Sequence, residues 1–250
     1  MKKKNLLTAA LSLSLVAVIT VGATLAYFTD TTDAQTNVFT TGNVNIQMTD
    51  KTESTDPNVK VGEYEHDAQG NQTGILYTNV LPGDTLSKKV AVEVLDGNLV
   101  RPASSNAHVG ILVMIDEEAN PSSEELYKLV NEAVGRMEAV EGDIWGDPED
   151  VSYYDAATDT RVTGKFYTYN PYAAGKGWEK GVPAGTTLKL FDDIQIPRSW
   201  GNAYASSTFD ITVQAYAIQA DHLAYTQLVD AVRGNLKVDG ETVKFEQVAD

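Results

Sequence analysis

Apolar and polar positions alternate strictly from Asn43 to Met48. Asn43, Asn45 and Gln47 fall on one face, and Val44, Ile46 and Met48 on the other. A period of two is that of a half-buried strand. Lys88 to Leu95 repeats it, with Val90, Val92 and Val94 on one face. His108 to Ile115 is apolar almost without a break, as a central strand would be. Leu188–Ile196 and Phe209–Ile218 are two further strands, with Pro197, Trp200 and Gly201 in the loop between them. Val59 to His66 is weaker: neither face is cleanly apolar, and Gly62 marks a bulge. The turn-rich stretch Asp67-Ala68-Gln69-Gly70-Asn71-Gln72 then leads to Ile75-Leu76-Tyr77, which predicts a hairpin. Ser152–Tyr154 and Lys165–Tyr169 form another, joined through Asp155 to Gly164. Leu236 to Phe245 forms a last one, with Asp239-Gly240 at the turn.

The period changes to helical in two places. Asn120-Pro121-Ser122-Ser123-Glu124-Glu125 supplies cap residues and first-turn acids, and Leu126, Leu129, Val130 and Val134 follow at helical spacing, with Gly135 as the stop. Leu223 to Val232 predicts a second helix, closed by Gly234. Eight to ten strands, two short helices in connections, no internal repeat and no low-complexity linker predict one domain over 39–250. Its class is all-β and mostly antiparallel, a jelly-roll-like β-sandwich.

The first 26 residues have a different character. Lys2, Lys3 and Lys4 precede an apolar run from Leu6 to about Val21, and Gly22-Ala23-Thr24-Leu25-Ala26 closes the segment with small residues. Positive, apolar and small, in that order, is a secretory signal. The run falls short of the ~20 apolar residues a membrane span needs. Cleavage is expected between Ala26 and Tyr27. It leaves a soluble secreted chain with an N-terminal extension over 27–38. Losing three lysines takes the formal charge from −16 to −19. Such a surface repels phosphates and anionic lipid, which excludes both as direct ligands. Cysteine is absent, which removes thiol catalysis, cysteine zinc sites and disulfides. A chain of this length can bury a core without them.

Two stretches carry a resemblance. One is the junction Gly22-Ala23-Thr24-Leu25-Ala26-Tyr27-Phe28-Thr29-Asp30, followed by Val38-Phe39-Thr40-Thr41-Gly42-Asn43-Val44-Asn45-Ile46. The other is Asn79-Val80-Leu81-Pro82-Gly83-Asp84-Thr85-Leu86-Ser87-Lys88. Together they resemble the TasA/CalY/camelysin family, SipW-dependent secreted proteins of Gram-positive bacteria. The resemblance covers about the first 50 residues and the Pro-Gly-Asp turn, and no family motif follows residue 115. It implies cutting by a dedicated signal peptidase, a jelly-roll domain and a biofilm matrix protein that assembles into extracellular fibres, alone or with other matrix proteins. It also implies that the mature N-terminus acts as a donor strand for the next subunit. Tyr27, Phe28 and Val38 are the positions that would anchor it. Strand addition draws affinity from main-chain hydrogen bonds, and a head-to-tail contact that does not close builds a filament. Tyr27 to Thr36 is free of Pro and Gly, but no β-branched aliphatic residue appears before Val38.

The camelysin branch is regarded as metalloprotease, so zinc chemistry is a rival reading. The chain has three histidines, His66, His108 and His222, and no HExxH or its inverse. No nucleophile-elbow sequence is present either, and no catalytic site is expected. Asp143, Asp147, Glu149 and Asp150 surround Trp145 and offer oxygen ligands to calcium, without EF-hand spacing; no other cofactor is implied. Tyr153, Tyr154, Phe166, Tyr167, Tyr169, Tyr172 and Trp178 would be core and cross-strand packing. Gathered in an exposed groove, they would instead make a monomeric adhesin or carbohydrate-binding module.

Overall fold

The computed structural model of the chain describes residues 38–41, 44–66, 72–96, 104–115, 122–142, 144–155, 160–173, 175–201, 211–221, 223–238, 241–242 and 246–247. Strand β1 (Val38–Thr41) comes first. The alternating run becomes β2 (Ile46–Lys51), where Val44, Ile46 and Met48 are buried, Gln47 is exposed, and the inward face continues to Asp50. The weak stretch after it splits into β3 (Val59–Lys60) and β4 (Glu63–His66). The break falls at Gly62, where a Cβ would lie 2.5 Å from Ile75 Cγ2. β5 (Gln72–Leu76) closes the expected hairpin, with Tyr64 opposite Ile75. β6 (Thr85–Val94) and β7 (Ala107–Met114) follow.

Helix α1 (Ser123–Glu141) begins with a capping box between Ser122 and Glu125, a device worth about 1 kcal/mol. It does not stop at Gly135. That glycine is exposed on the helix surface with no atom within 4 Å of a built Cβ. The apolar spacing carries on to a buried Met137, and the stop is Gly142, left-handed at φ 70°. β8 (Glu149–Asp155) and β9 (Thr160–Thr168) form the second hairpin. β10 (Thr186–Gln195), β11 (Thr212–Gln219) and the short helix α2 (Gln227–Val232) follow. β12 (Lys237–Val238) and β13 (Glu241–Thr242) pair around the expected turn, and β14 (Glu246–Gln247) is last.

The strands form two main sheets. The larger has the order β14-β1-β11-β7-β9-β8; the smaller has β10-β6-β2, with β3 also on β6. Pairings are antiparallel except β1 with β11 and β3 with β6. The architecture of the described residues is therefore mostly β and largely antiparallel, with two helices. Ile46, Met48, Val90, Val92, Leu188 and Leu190 from the smaller sheet share one apolar core with Val109, Ile111, Val113, Val213 and Ala215 from the larger. Leu126, Leu129 and Val130 of α1 join it. The other face of the larger sheet offers Leu112, Phe166, Tyr216 and Ile218, and α2 covers it with Leu228, Val229 and Val232. Burial on both faces is why β7 reads as an unbroken apolar run. Gly110 in its middle admits the Phe166 ring, which a Cβ would meet at 2.3 Å.

Candidate assembly edge

β11 alternates between the two cores: Val213, Ala215 and Ala217 face one, Tyr216 and Ile218 the other. One of its sides is fully paired, from Thr212 opposite Met114 to Gln219 opposite Ala107. The other side is occupied by β1, in parallel register from Val38 beside Ala215 to Thr41 beside Ile218. Beyond β1, among the described residues, lies the two-residue β14, opposite Phe39 and Thr40. The main chain of β11 is thus completed by four residues from the start of the described chain. The next strand in sequence, β2, belongs to the other sheet.

The sequence assigned Val38 to the extension, and the structure places it in β1. Phe39-Thr40-Thr41 showed no period of their own, and the signal for the strand was composition: Val, Phe and Thr all favour strands. Tyr27 and Phe28, with the cleavage site at Ala26, lie outside the described residues.

The second stretch of the family resemblance forms a tight turn. Gly83 has φ 93°, which an L side chain rarely adopts. The Asp84 N–H donates to Leu81 O at 3.0 Å, and the Leu81 N–H donates to Asp84 Oδ2 at 2.6 Å. Lys60 Nζ pairs with the same carboxylate at 2.8 Å. Partial burial pushes the Asp84 carboxyl up, but the Lys60 and Leu81 hydrogen bonds outweigh it and hold the group below its ordinary value. Gly83 N–H to Ile196 O and Ile196 N–H to Asp84 O then fasten the turn to the end of β10.

The residues considered for metal and zinc chemistry are dispersed. Glu149 faces Arg233 at 3.3 Å and Asp150 faces Lys165 at 2.6 Å, while Asp147 is exposed. Asp143 lies outside the described residues. His66 is exposed on β4; His108 is buried at the start of β7, and its Nε2–H donates to Leu223 O at 2.9 Å. Burial lowers the His108 pKa, against the opposing effect of that hydrogen bond. His222 is outside the described residues, among which no three His, Asp or Glu side chains converge.

The aromatic residues divide. Phe166, Tyr167 and Tyr169 are core, Tyr153 meets the Tyr216 hydroxyl at 2.8 Å, and Trp178 leans on Tyr169. Tyr154 and Tyr172 are exposed. Neither lines the open cleft of about 490 Å³ formed by Ile115, Ser123, Tyr127, Ser152, Arg161 and Thr163. There the Tyr127 hydroxyl is engaged by Val113 O and the Ile115 N–H, and Arg161 Nε is held by Ser152 Oγ at 2.8 Å. No helix among the described residues is long and apolar enough to cross a membrane. No family model, curated protein or solved structure matches the chain.

Proposed function

We propose that the chain is a secreted structural protein, the jelly-roll subunit of an extracellular biofilm matrix fibre. It assembles head to tail with copies of itself through its mature N-terminus. The observation that carries the reading is the β1 slot. A four-residue parallel strand, flanked among the described residues by two residues of β14, completes the edge of β11. Such an edge is a template for any chain that can supply the same main-chain pattern. In the monomer the subunit's own β1 fills it. In the fibre the stretch that begins at Tyr27 and ends in β1 crosses to the β11 edge of a neighbour. The same hydrogen bonds are then made between molecules, and the chain of contacts stays open. The two sheets about one core are the two halves of the jelly roll in this reading. Signal peptide cleavage at Ala26–Tyr27 is the step that releases the donor segment.

Negative-stain microscopy of the mature protein, residues 27–250, beside a version lacking 27–41, and so lacking β1, tests this. Filaments from the first and none from the second are expected. Monomers from both, over a range of pH and calcium concentration, would overturn the proposal.

A further inference from the structure

One ion pair sits inside the core between the sheets. Asp50 follows Ile46 and Met48 on the inward face of β2, and Lys88 shares the inward face of β6 with Leu86, Val90 and Val92. In the register of the two strands Asp50 lies opposite Val90 and Lys51 opposite Lys89, which sets Lys88 on the diagonal from Asp50. Side chains on such a diagonal are within reach of each other when one of them is long. The Lys88 side chain keeps 9 % of its surface exposed and that of Asp50 only 2 %, and Lys88 Nζ lies 2.5 Å from Asp50 Oδ2. The surroundings exclude bulk water. Tyr77, whose pKa is raised by burial despite a hydrogen bond with Thr52, and raised further by the Asp50 charge, donates its hydroxyl to Ser87 O beside them.

Burying two full charges is costly, several kcal/mol per ion, and their attraction repays this only in part. A surface Lys–Asp pair has no reason to change. A buried one can remove both charges permanently by condensing. We propose that Lys88 and Asp50 join, after folding, in an intramolecular isopeptide bond. A proton passes from the Lys88 ammonium to the Asp50 carboxylate, which leaves a neutral amine against a neutral acid. The nitrogen lone pair attacks the carboxyl carbon, one bond from the oxygen it already contacts. The C–OH bond of the tetrahedral adduct breaks, the departing hydroxyl takes a proton from the nitrogen, and water leaves. One C–N bond forms, one C–O bond breaks, and no oxidant or other reactant is consumed. Amine and carboxyl that come into line for attack inside one molecule reach effective concentrations of about 10⁵ M or more, and the buried site opposes hydrolysis of the product.

The bond staples β2 to β6 and closes a loop over residues 50–88, which contains β3, β4 and β5. It is independent of the assembly reading, because it would form in a monomer as in a fibre. The test is a tryptic digest of the denatured, secreted wild-type protein, read by tandem mass spectrometry. The expected product is a cross-linked peptide pair that contains Asp50 and Lys88, one water lighter than its two parts, with no cleavage after Lys88. A Lys88→Arg variant that stays folded by circular dichroism is expected to yield only linear peptides. Recovery from folded wild-type protein of a linear peptide ending at Lys88, together with an Asp50 peptide at full mass, overturns the proposal. So does a water loss mapped elsewhere, such as Asp96-Gly97. The wild-type digest decides the matter even where the variant does not fold.

Discussion

The two main sheets each have an edge that something must cover, and they cover it differently. At β10 the smaller sheet is closed by side chains. Trp145 Nε1–H donates to Lys189 O at 2.9 Å, Arg136 Nη2 donates to Asp193 O at 3.2 Å, and Lys189 pairs with Glu141 at 2.7 Å. Bulges between Lys189 and Phe191 and between Phe191 and Asp193 distort the same strand. On the far side of β11 the larger sheet is continued by main-chain pairing, with the four residues of β1 and then, among the described residues, the two of β14. Side-chain plugs and bulges make an edge that no foreign strand can copy. A backbone plug makes one that any suitable strand can copy. On the assembly reading the β10 side is the fixed edge and the β1 side the exchangeable one, while β2 and β8 end the two sheets on their other sides.

The largest effect is expected where the fixed edge meets the core. Trp145 is 4 % exposed, stacks edge-on against Tyr169 at 5.6 Å, and its backbone N–H donates to Glu138 Oε1 at 2.7 Å. Trp145→Ala removes that packing and leaves a cavity, a loss of about 3–5 kcal/mol, read by urea unfolding. Trp145→Phe keeps most of the apolar mass and drops the bond to Lys189 O, with an expected loss of about 1 kcal/mol from that bond. Equal losses for the two variants would mean that the edge bond, not the packing, closes β10.

Acid should separate the sheets next. His108 is held neutral by burial on β7 of the larger sheet, and its folded pKa lies below the unfolded value of 6.5. The unfolded state therefore binds more protons as pH falls. The contribution of His108 to stability is complete above about pH 6.5 and is lost as pH drops through that value toward the folded pKa, at no more than about 1.4 kcal/mol per pH unit. His108→Gln is expected to flatten the slope. Hydrogen exchange at pH 5.5 should quicken in residues 107–114 before it quickens in β6. The reverse order would mean that acid opens β6 before the strand that carries His108.

How much of this was legible in the sequence follows from what each element depends on. β2, β6 and β7 were visible because one or two faces of each strand lie in a core, and burial writes itself as a period or an apolar run. The helix end at Gly135 was misread because glycine is a stop only where the backbone turns left-handed, and that condition is met at Gly142. β1 had no period to read, since its place is fixed by pairing with a strand about 175 residues later. The Lys88–Asp50 pair was hidden for a related reason. Each is a polar residue at an inward position, and only the register of two strands reveals that they answer each other. Chemistry assembled from separate strands leaves no local signature.

A proline in β1 tests the exchangeable edge directly. Thr40 lies beside Ala217 on one side and opposite Glu246 on the other. Thr40→Pro removes one ladder N–H, and the expected cost is about 1 kcal/mol. The monomer should stay folded while filaments are lost, because every subunit contact in the fibre would carry the same defect. Unchanged filaments would move the assembly contact off β1.

The smallest effect is expected at the fixed edge's outer pair. Arg136 and Asp193 are each about one-third exposed, with Nη2 2.5 Å from Oδ1. Exposed pairs of this kind contribute about 0.2–1 kcal/mol, so Arg136→Ala should hardly move the unfolding midpoint. Its second consequence is the informative one. The same guanidinium covers the Asp193 carbonyl, and its removal frees an acceptor on β10 while Trp145 and the bulges remain. If the edge is fixed by redundancy, the variant should give filaments of wild-type width with no lateral bundling in the microscope. Bundled filaments from Arg136→Ala would mean that a single side chain keeps β10 from acting as a second template. The contrast between the two edges would then be one of degree.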